Sequence, residues 1–195
     1  MKILAIQNRM GIGDTVIFLP FIKALYKKFN SPISLLVKES SKADQYLFQT
    51  NYIDKILILE RDSYKKKRHS GLLGSFNLIK DLKKYNFQKI FIFNSSLRFN
   101  LIARFSNIPE IYQYSLFSKN KQHITDTPKK FLKDKLDINV NEDPDVQISE
   151  DLISEAIKKF QIDKNEFNVL MGIGGSGPTK RIPSRVFLEV QVKHN

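Results

Sequence analysis

The chain has 195 residues, of which 42% are hydrophobic and 27% are charged, a balance typical of a globular protein rather than a disordered one. It contains no cysteine, which excludes disulfides, zinc fingers and cysteine nucleophiles, and its three histidines are too widely spaced to predict a metal cluster. The 32 basic and 20 acidic side chains give a net charge of +12, which indicates either an anionic partner or a biased composition.

No segment of the sequence is apolar over the roughly 20 residues that a membrane-spanning helix needs. The first residues also lack the long apolar region and the small-residue cleavage site of a signal peptide. We therefore expect the protein to stay in the cytoplasm. Its positive charge is compatible with peripheral contact with an acidic membrane.

Apolar runs typical of buried strands alternate along the chain with segments that keep helical spacing. The predicted strands are residues 2–7, 34–37, 55–60, 89–94, 111–114 and 167–171. The predicted helices are residues 16–29, 41–48, 72–85, 97–105, 150–160 and a short one from 183, with a loop-and-helix connection over 118–145. We expect Pro20 to kink the first helix near its start or to begin its regular part, and Ser149 to cap the helix at 150–160. The alternation predicts an α/β fold, a parallel sheet with helices on both faces.

The last predicted strand, the glycine-rich loop after it and the helix start that follows read as the opening of a second α/β unit. Such a short piece cannot bury its own apolar faces. We therefore predict that residues 1–165 form one Rossmann-like domain and that residues 166–195 begin a second, incomplete domain. Either this piece packs onto the first domain, or the chain is a shortened version of a longer protein.

The turn after the first predicted strand is a candidate site, because open parallel sheets bind ligands beyond the carboxyl ends of their strands. Gly11 and Gly13 allow a tight turn and a close approach of the backbone to a ligand. Asp14 then either caps the first helix or places a carboxylate at the cleft as a general base. A dinucleotide-binding fingerprint fails here, because Val16 occupies the position of its third glycine.

The glycine-rich loop at residues 172–181 is the second candidate site. It has the spacing G-x-G-x-x-G, but Pro178 and Pro183 prevent a helix from starting at the third glycine, and Pro178 stands where a P-loop needs lysine. We therefore expect no cofactor and no metal. The loop is either an ordinary surface turn or a phosphate site made of free amides and cations. The candidate phosphate-binding residues are Gly174, Gly175, Ser176, Gly177, Thr179 and Lys180.

A run of basic residues follows the third predicted strand, on the same edge of a parallel sheet as the first turn. The run is either a solvated loop or a surface that holds an anionic acceptor or touches acidic membrane. Together with the two glycines of the first turn, the acceptor-side candidates are Gly11, Gly13, Lys65, Lys66, Lys67 and Arg68.

Two stretches, taken together, resemble glycosyltransferase family 9, the bacterial ADP-heptose:lipopolysaccharide heptosyltransferases. Residues 1–29 contain Gly13-Asp14 after a strand, then Pro20 and the segment Ile22-Lys23-Ala24-Leu25 within a helix, as the family's opening does. Residues 169–187 contain Thr179-Lys180-Arg181-Ile182-Pro183 after a glycine-rich loop, which is similar to the opening of the family's second domain. The order and the separation of the two stretches also match.

The resemblance implies two Rossmann-like domains that face each other across a cleft, the GT-B architecture. It implies inverting transfer of a heptose from a nucleotide-diphosphate sugar donor to the lipopolysaccharide core, an anionic glycolipid acceptor at the cytoplasmic face of the inner membrane. Asp14 would be the general base and Lys180 a donor contact. These roles suit the chemistry, because the acceptor hydroxyl must lose a proton and the departing diphosphate needs positive charge.

Three hypotheses about function follow. The chain is a glycosyltransferase or its acceptor-binding half, or it is a non-catalytic fragment or interaction module that another chain completes. The second hypothesis predicts an exposed apolar patch where the other chain docks. The third is a basic nucleic-acid-binding α/β domain, which predicts an affinity that falls steeply with salt. Nucleic acid is the least favoured partner, because the sequence lacks arginine-rich or aromatic grooves.

Overall fold

The computed structural model of the protein describes residues 1–9, 11–61, 67–116, 123–170, 172, 182–186 and 188. Contacts divide the chain into two compact units, Met1–Ile148 (unit 1) and Ser149–Asn195 (unit 2), and each unit is described by itself. The functional domain boundary expected at residues 165 and 166 stays a prediction.

Unit 1 alternates strands with helices, and unit 2 contains one longer helix. The strands are β1 (Ile3–Ile6), β2 (Ile33–Lys38), β3 (Ile53–Leu59), β4 (Lys89–Ile92) and β5 (Glu110–Gln113). The helices are α1 (Ile12–Phe29), α2 (Ala43–Tyr46), α3 (Gly71–Lys83), α4 (Leu97–Phe105), α5 (Asp126–Leu136) and α6 (Glu150–Phe160), with a 3-10 turn at Glu39–Ser41. Over the described ranges, no helix combines the length and the apolar character that crossing a bilayer requires.

The five strands form one parallel sheet in the order β3-β2-β1-β4-β5. β1 therefore lies at the centre, hydrogen-bonded to β2 on one side and to β4 on the other. The chain runs outward from β1 through β2 to β3, and then returns across β1 to β4 and β5. This arrangement confirms the predicted α/β fold, and it places all the strand-to-helix turns at one edge of the sheet.

Helices cover both faces of the sheet, because the inner strands carry apolar side chains on both sides. All four residues of β1 are fully buried. Ile3 and Ala5 belong to a core shared with α1 and α5, whereas Leu4 and Ile6 belong to a second core shared with α3 and α4. Strands buried on both faces read as continuous apolar runs, which explains why their positions were predictable from the sequence.

Helix α1 begins earlier than the sequence pattern indicates. The prediction that Pro20 starts the regular part of this helix is wrong, because the helix starts at Ile12 and continues through Pro20 to Phe29. The alternative, a kink at Pro20, stays a prediction. Proline cannot donate the usual intrahelical hydrogen bond, so this position loses one backbone bond. Pro20 is buried in the core. Burial of its apolar ring stabilises the fold and offsets part of the cost of the lost bond.

Unit 2 confirms one sequence prediction and contradicts another. The Ser149 hydroxyl accepts a hydrogen bond from the Leu152 amide and caps α6, as predicted. The strand expected at residues 167–171 is not formed over its described residues, 167–170. Phe167 and Leu170 are 92% and 98% exposed. An extended segment becomes a strand only when a neighbour pairs with its backbone, and unit 2 provides none among its described residues.

A buried histidine joins the end of β3 to α3. His69 is 4% exposed, and its Nδ1 accepts a hydrogen bond from the Glu60 amide at 3.1 Å. The ring proton is therefore on Nε2, which donates to Asp81 Oδ2 at 3.2 Å. Burial of the Asp81 carboxyl opposes ionisation, but hydrogen bonds from Arg68, His69 and Lys84 outweigh it and lower the pKa of Asp81. The carboxylate therefore holds the segment before α3 against the helix.

Gly74 lies where α3 meets the backbone of this segment. A Cβ atom on Gly74 would approach the His69 carbonyl carbon to 2.2 Å, so Gly74→Ala must move backbone. We expect it to lower the free energy of unfolding by about 1–3 kcal/mol. The matched control is Gly13→Ala in α1, where nothing lies within 4 Å of the added methyl, and which should be neutral or stabilising by up to about 1 kcal/mol. Urea unfolding of both variants measures this, and equal effects would refute the close contact.

The lowered pKa of Asp81 makes the free energy of unfolding depend on pH in the acid range. Because its pKa lies below the ordinary value of 3.8, its contribution is complete above that pH and is lost as the pH falls through the lowered pKa. Asp81→Asn should cost about 1–3 kcal/mol at pH 7, and its difference from the wild type should shrink below pH 3.8. Thermal unfolding across acidic pH tests this, with the exposed Asp44→Asn as control. A difference that stays constant with pH would contradict the expectation.

Candidate functional site

A cleft of about 780 Å³ opens in unit 1 at the carboxyl edge of the sheet, beyond the ends of β1, β4 and β5. At this point the chain leaves β1 towards β2 and returns beyond β1 to β4, so neighbouring connections run in opposite directions. Such a switch point leaves a crevice between the two connections, and it is where open α/β sheets bind ligands. Helix α5 closes the cleft on the outer side.

Two asparagines join the turns that form the cleft. Asn94, just beyond β4, donates from Nδ2 to Asn8 Oδ1 at 3.2 Å, and Asn8 follows β1. The Oδ1 atom of Asn94 accepts from the Ser96 amide at 3.0 Å, immediately before α4. Both ends of the Asn94 amide are therefore engaged, which sets the separation of the two turns.

Gln113 at the end of β5 supports the same turn from the other side. Its Nε2 donates to the carbonyl oxygens of Asn94 and Ser96, at 3.0 and 2.9 Å. Its Oε1 accepts from Asn100 Nδ2 at 2.7 Å. One side chain thus satisfies two carbonyl groups that the end of β4 leaves without strand partners, and it fixes the turn between β4 and α4.

The floor of the cleft is aromatic. The Phe93 ring centroid lies 5.4 Å from that of Phe18 and 5.6 Å from that of Phe131, both in edge-to-face geometry. The Tyr114 ring lies 5.0 Å from Phe131. Edge-to-face packing of this kind holds aromatic rings rigidly, so the floor presents a fixed apolar surface.

Tyr114 gives this floor one polar group. Its hydroxyl is buried and has no hydrogen-bond partner among the described residues. Burial raises the pKa of Tyr114, while the nearby charge of Arg9 acts in the opposite direction. The hydroxyl is therefore protonated at neutral pH.

The rim of the cleft favours anions. Arg9, Lys130 and Lys135 line it and are exposed, whereas Asp134 is the acidic residue among its described lining. Cations around a crevice with apolar walls attract negatively charged ligands. An aromatic floor below a basic rim suits a sugar that carries phosphate or carboxylate groups.

Asp14 lies at the same edge of the sheet but does not cap α1. Gly11 is the N-cap residue, with φ 107° and ψ 159°, a conformation that essentially only glycine adopts. Asp14 is the third residue of α1 and is half-buried. Its Oδ2 lies 3.6 Å from the point that a Cβ atom would occupy if Gly11 had a side chain. It is one turn before Phe18, so the two side chains share a helix face. The cap interpretation is wrong, and the carboxylate lies beside the turn instead.

The structure separates the other predicted site residues. Arg68 Nη2 pairs with Asp81 Oδ1 at 2.7 Å, on α3, and Lys67 is exposed before that helix; neither lines the cleft. Gly13 is the second residue of α1. The remaining candidates lie outside the described residues: Lys65, Lys66, Gly174, Gly175, Ser176, Gly177, Thr179 and Lys180.

Sequence reasoning did not select the polar residues of the cleft, Asn8, Asn94, Gln113 and Tyr114. A signal was present, because each stands where an apolar strand run gives way to polar residues at its carboxyl end. Choosing among such positions requires the strand order. Without it, the ends of β4 and β5 have no known relation to the end of β1.

Comparison with solved structures finds matches that cover nearly the whole chain. A glycosyl transferase family 9 structure from Veillonella parvula DSM 2008 matches with TM-score 0.75 and 18% identity, over 97% of this chain and 58% of that one. The E. coli ADP-heptose LPS heptosyltransferase II matches with TM-score 0.68 and 16% identity, over 99% and 61%. E. coli heptosyltransferase WaaC with ADP matches with TM-score 0.59 and 11% identity, over 98% and 64%.

The chain has the fold of these glycosyltransferases. The predicted α/β fold is thus confirmed, whereas a second domain that faces it across a cleft stays a prediction. The chain spans about three fifths of the length of the solved structures. No protein-family model matches the sequence, and no curated protein matches it.

The buried hydroxyl of Tyr114 leads to a prediction about stability. Tyr114→Phe removes a buried group without a described partner, so the free energy of unfolding should stay unchanged or rise by up to about 1 kcal/mol. The control is Tyr52→Phe, because the Tyr52 hydroxyl donates to the Asp145 carbonyl at 3.2 Å; this variant should lose about 0.5–1.5 kcal/mol. Urea unfolding compares them, and equal losses would show that Tyr114 has a structural partner.

Proposed function

We propose that the chain is the acceptor-side domain of a family 9 type glycosyltransferase, together with the first part of its donor domain. The reaction is the inverting transfer of a heptose or related sugar from a nucleotide diphosphate to an anionic glycolipid acceptor of the lipopolysaccharide-core class. The observation that carries the proposal is the fold match, with TM-score 0.75, to a glycosyl transferase family 9 structure over 97% of this chain.

In this proposal Asp14 is the general base. Inverting transfer requires a group that removes the proton of the acceptor hydroxyl as the bond between sugar and phosphate breaks. Asp14 supplies a half-buried carboxylate at the carboxyl edge of the sheet, on the face of α1 that carries the cleft residue Phe18. Gly11 supports this placement, because its backbone conformation allows the turn to approach the carboxylate closely.

The cleft would receive the acceptor. Arg9, Lys130 and Lys135 suit the negative groups of a core glycolipid. The aromatic floor offers an apolar surface for a sugar ring. A polar rim above a rigid apolar floor is the usual composition of a small-molecule site.

The donor would bind the loop at residues 172–181, with Lys180 on the departing diphosphate. The sequence supports this part of the proposal through its glycines and cations, which suit a phosphate. One of the matched structures, E. coli heptosyltransferase WaaC, was determined with ADP. A nucleotide-diphosphate donor is consistent with that neighbour.

A second candidate function is an interaction module that another chain completes. It is favoured by the exposure of large apolar side chains in unit 2, of which Phe167 and Leu170 are the most exposed. Exposed apolar side chains of this size indicate a surface for a protein partner when they are grouped. If the chain is an interaction module, it would bind no nucleotide sugar by itself.

Transfer assays with Asp14→Asn test the first candidate. The variant keeps the shape of the side chain but cannot accept a proton, so turnover with ADP-heptose and deacylated core acceptor should fall by about 10²–10⁴-fold. Acceptor binding, measured by calorimetry, should change little. The matched control is Asp151→Asn, a first-turn carboxylate of α6 in unit 2, which should retain wild-type turnover.

The other outcomes separate the alternatives. Wild-type turnover by Asp14→Asn would contradict the role of general base. A wild-type chain that neither transfers sugar nor binds ADP would favour the interaction module. Binding of single-stranded or duplex nucleic acid that weakens steeply with salt, without binding of ADP, would favour the nucleic-acid hypothesis.

A further inference from the structure

A second cavity of unit 1, of about 510 Å³, lies between α3 and α4, and its walls are apolar. We call it the α3–α4 groove. The large apolar side chains that line it and are exposed are Leu72, Phe76, Leu97, Leu101 and Phe105. Leu72 is 83% exposed and Phe76 is 68% exposed. Single exposed apolar residues are ordinary, but five around one groove indicate a surface that is covered in use.

Two arginines lie among these apolar residues. Arg98 donates from Nε to Ser75 Oγ at 2.9 Å and from Nη2 to the His69 carbonyl at 2.5 Å. Its Nη1 is buried and has no partner among the described residues. Burial and the nearby charge of Arg61 lower the pKa of Arg98, so two guanidinium groups lie close enough to repel each other.

No acidic residue is found among the described lining of the groove. α3 and α4 carry the cations Lys80, Lys83, Arg98 and Arg104. The one carboxylate in the two helices, Asp81, already receives bonds from Arg68, His69 and Lys84. The face is therefore apolar in the groove and positive around it, and the two arginines that line the groove favour an anionic partner.

This combination matches an anionic bilayer surface. Interfacial membrane binding needs apolar side chains that enter the acyl boundary and cations that contact acidic headgroups. An acidic protein would have to present apolar side chains and carboxylates in matching positions, whereas an anionic bilayer supplies acyl chains and headgroup charge over its whole surface. A second copy of the chain would bring one net-positive face against another.

We propose that the α3–α4 groove docks on anionic phospholipid, with Arg61 against the lipid phosphates and with Leu72 and Phe76 in the acyl boundary. The inference extends the proposed function by giving its glycolipid acceptor reaction a membrane-facing surface. It rests on that function only for its biological setting. The contacts that carry it belong to the groove alone, so the two can fail separately.

Vesicle co-sedimentation of the full chain tests the proposal. The wild type should bind vesicles of phosphatidylcholine mixed with phosphatidylglycerol, more weakly at high salt, and should bind phosphatidylcholine alone poorly. Arg61→Glu should reduce the partition coefficient on mixed vesicles about tenfold or more. Arg61 is exposed, so this variant should fold, whereas Arg98 has structural bonds and is left intact.

The apolar part is tested by the double variant Leu72→Ser, Phe76→Ser. It should also lose binding about tenfold or more, because two apolar side chains no longer enter the bilayer. The controls change similar exposed residues elsewhere in unit 1, Phe48→Ser for the apolar pair and Lys129→Glu for the charge. Both should bind as the wild type does, and circular dichroism verifies folding.

Three results would overturn the proposal. One is equal binding to neutral and anionic vesicles, and another is equal loss of binding in the control variants. The third is a wild-type dimer in analytical ultracentrifugation that Leu72→Ser, Phe76→Ser dissociates, because the groove would then be a self-interface. Vesicle binding that persists in a chain without transferase activity would support the docking surface and count only against the proposed function.

Discussion

The central position of β1 is the constraint on which the rest of the structure depends. All of its side chains are fully buried, alternately against the α1–α5 core and the α3–α4 core. A strand that is apolar on both faces has no stable place at a sheet edge, so β2 and β4 pair with it on either side. The turn after β1 then faces the turns after β4 and β5, and the cleft exists because these three ends meet.

The polar side chains of the cleft form hydrogen bonds mainly with backbone groups of the turns. Gln113 satisfies carbonyl groups beyond β4, and Asn94 joins that turn to the one after β1. Buried backbone groups must be paired, so these amides stabilise a turn geometry that an apolar side chain could not hold. The exposed polar groups of the rim are mainly the cations Arg9, Lys130 and Lys135. Support and recognition are thus divided between different side chains.

The two helical faces of the sheet have different surfaces. On the α1–α5 face the cleft is rimmed by cations above buried rings, which suits a small anionic sugar. On the α3–α4 face, apolar side chains such as Phe76 remain exposed beside Arg61 and Arg98, which suits an extended anionic surface. The proposed glycolipid transferase would need both properties, a pocket for the sugar and a surface for the membrane that carries it.

The amino-acid sequence determined the element types, the α/β class and the opening turn, because these depend on local patterns: apolar runs, helical spacing and the glycines before Asp14. It could not decide that Gly11 rather than Asp14 begins α1, or that α1 passes through Pro20, since both depend on how the core accepts the helix. The residues at 167–170 kept the pattern of a strand but no neighbour pairs with them in the described chain. Only the tertiary structure brought Tyr114 and Arg9 to one cleft, and Arg98 and Arg61 to one groove, because strand order and helix packing bring together residues that lie far apart in sequence.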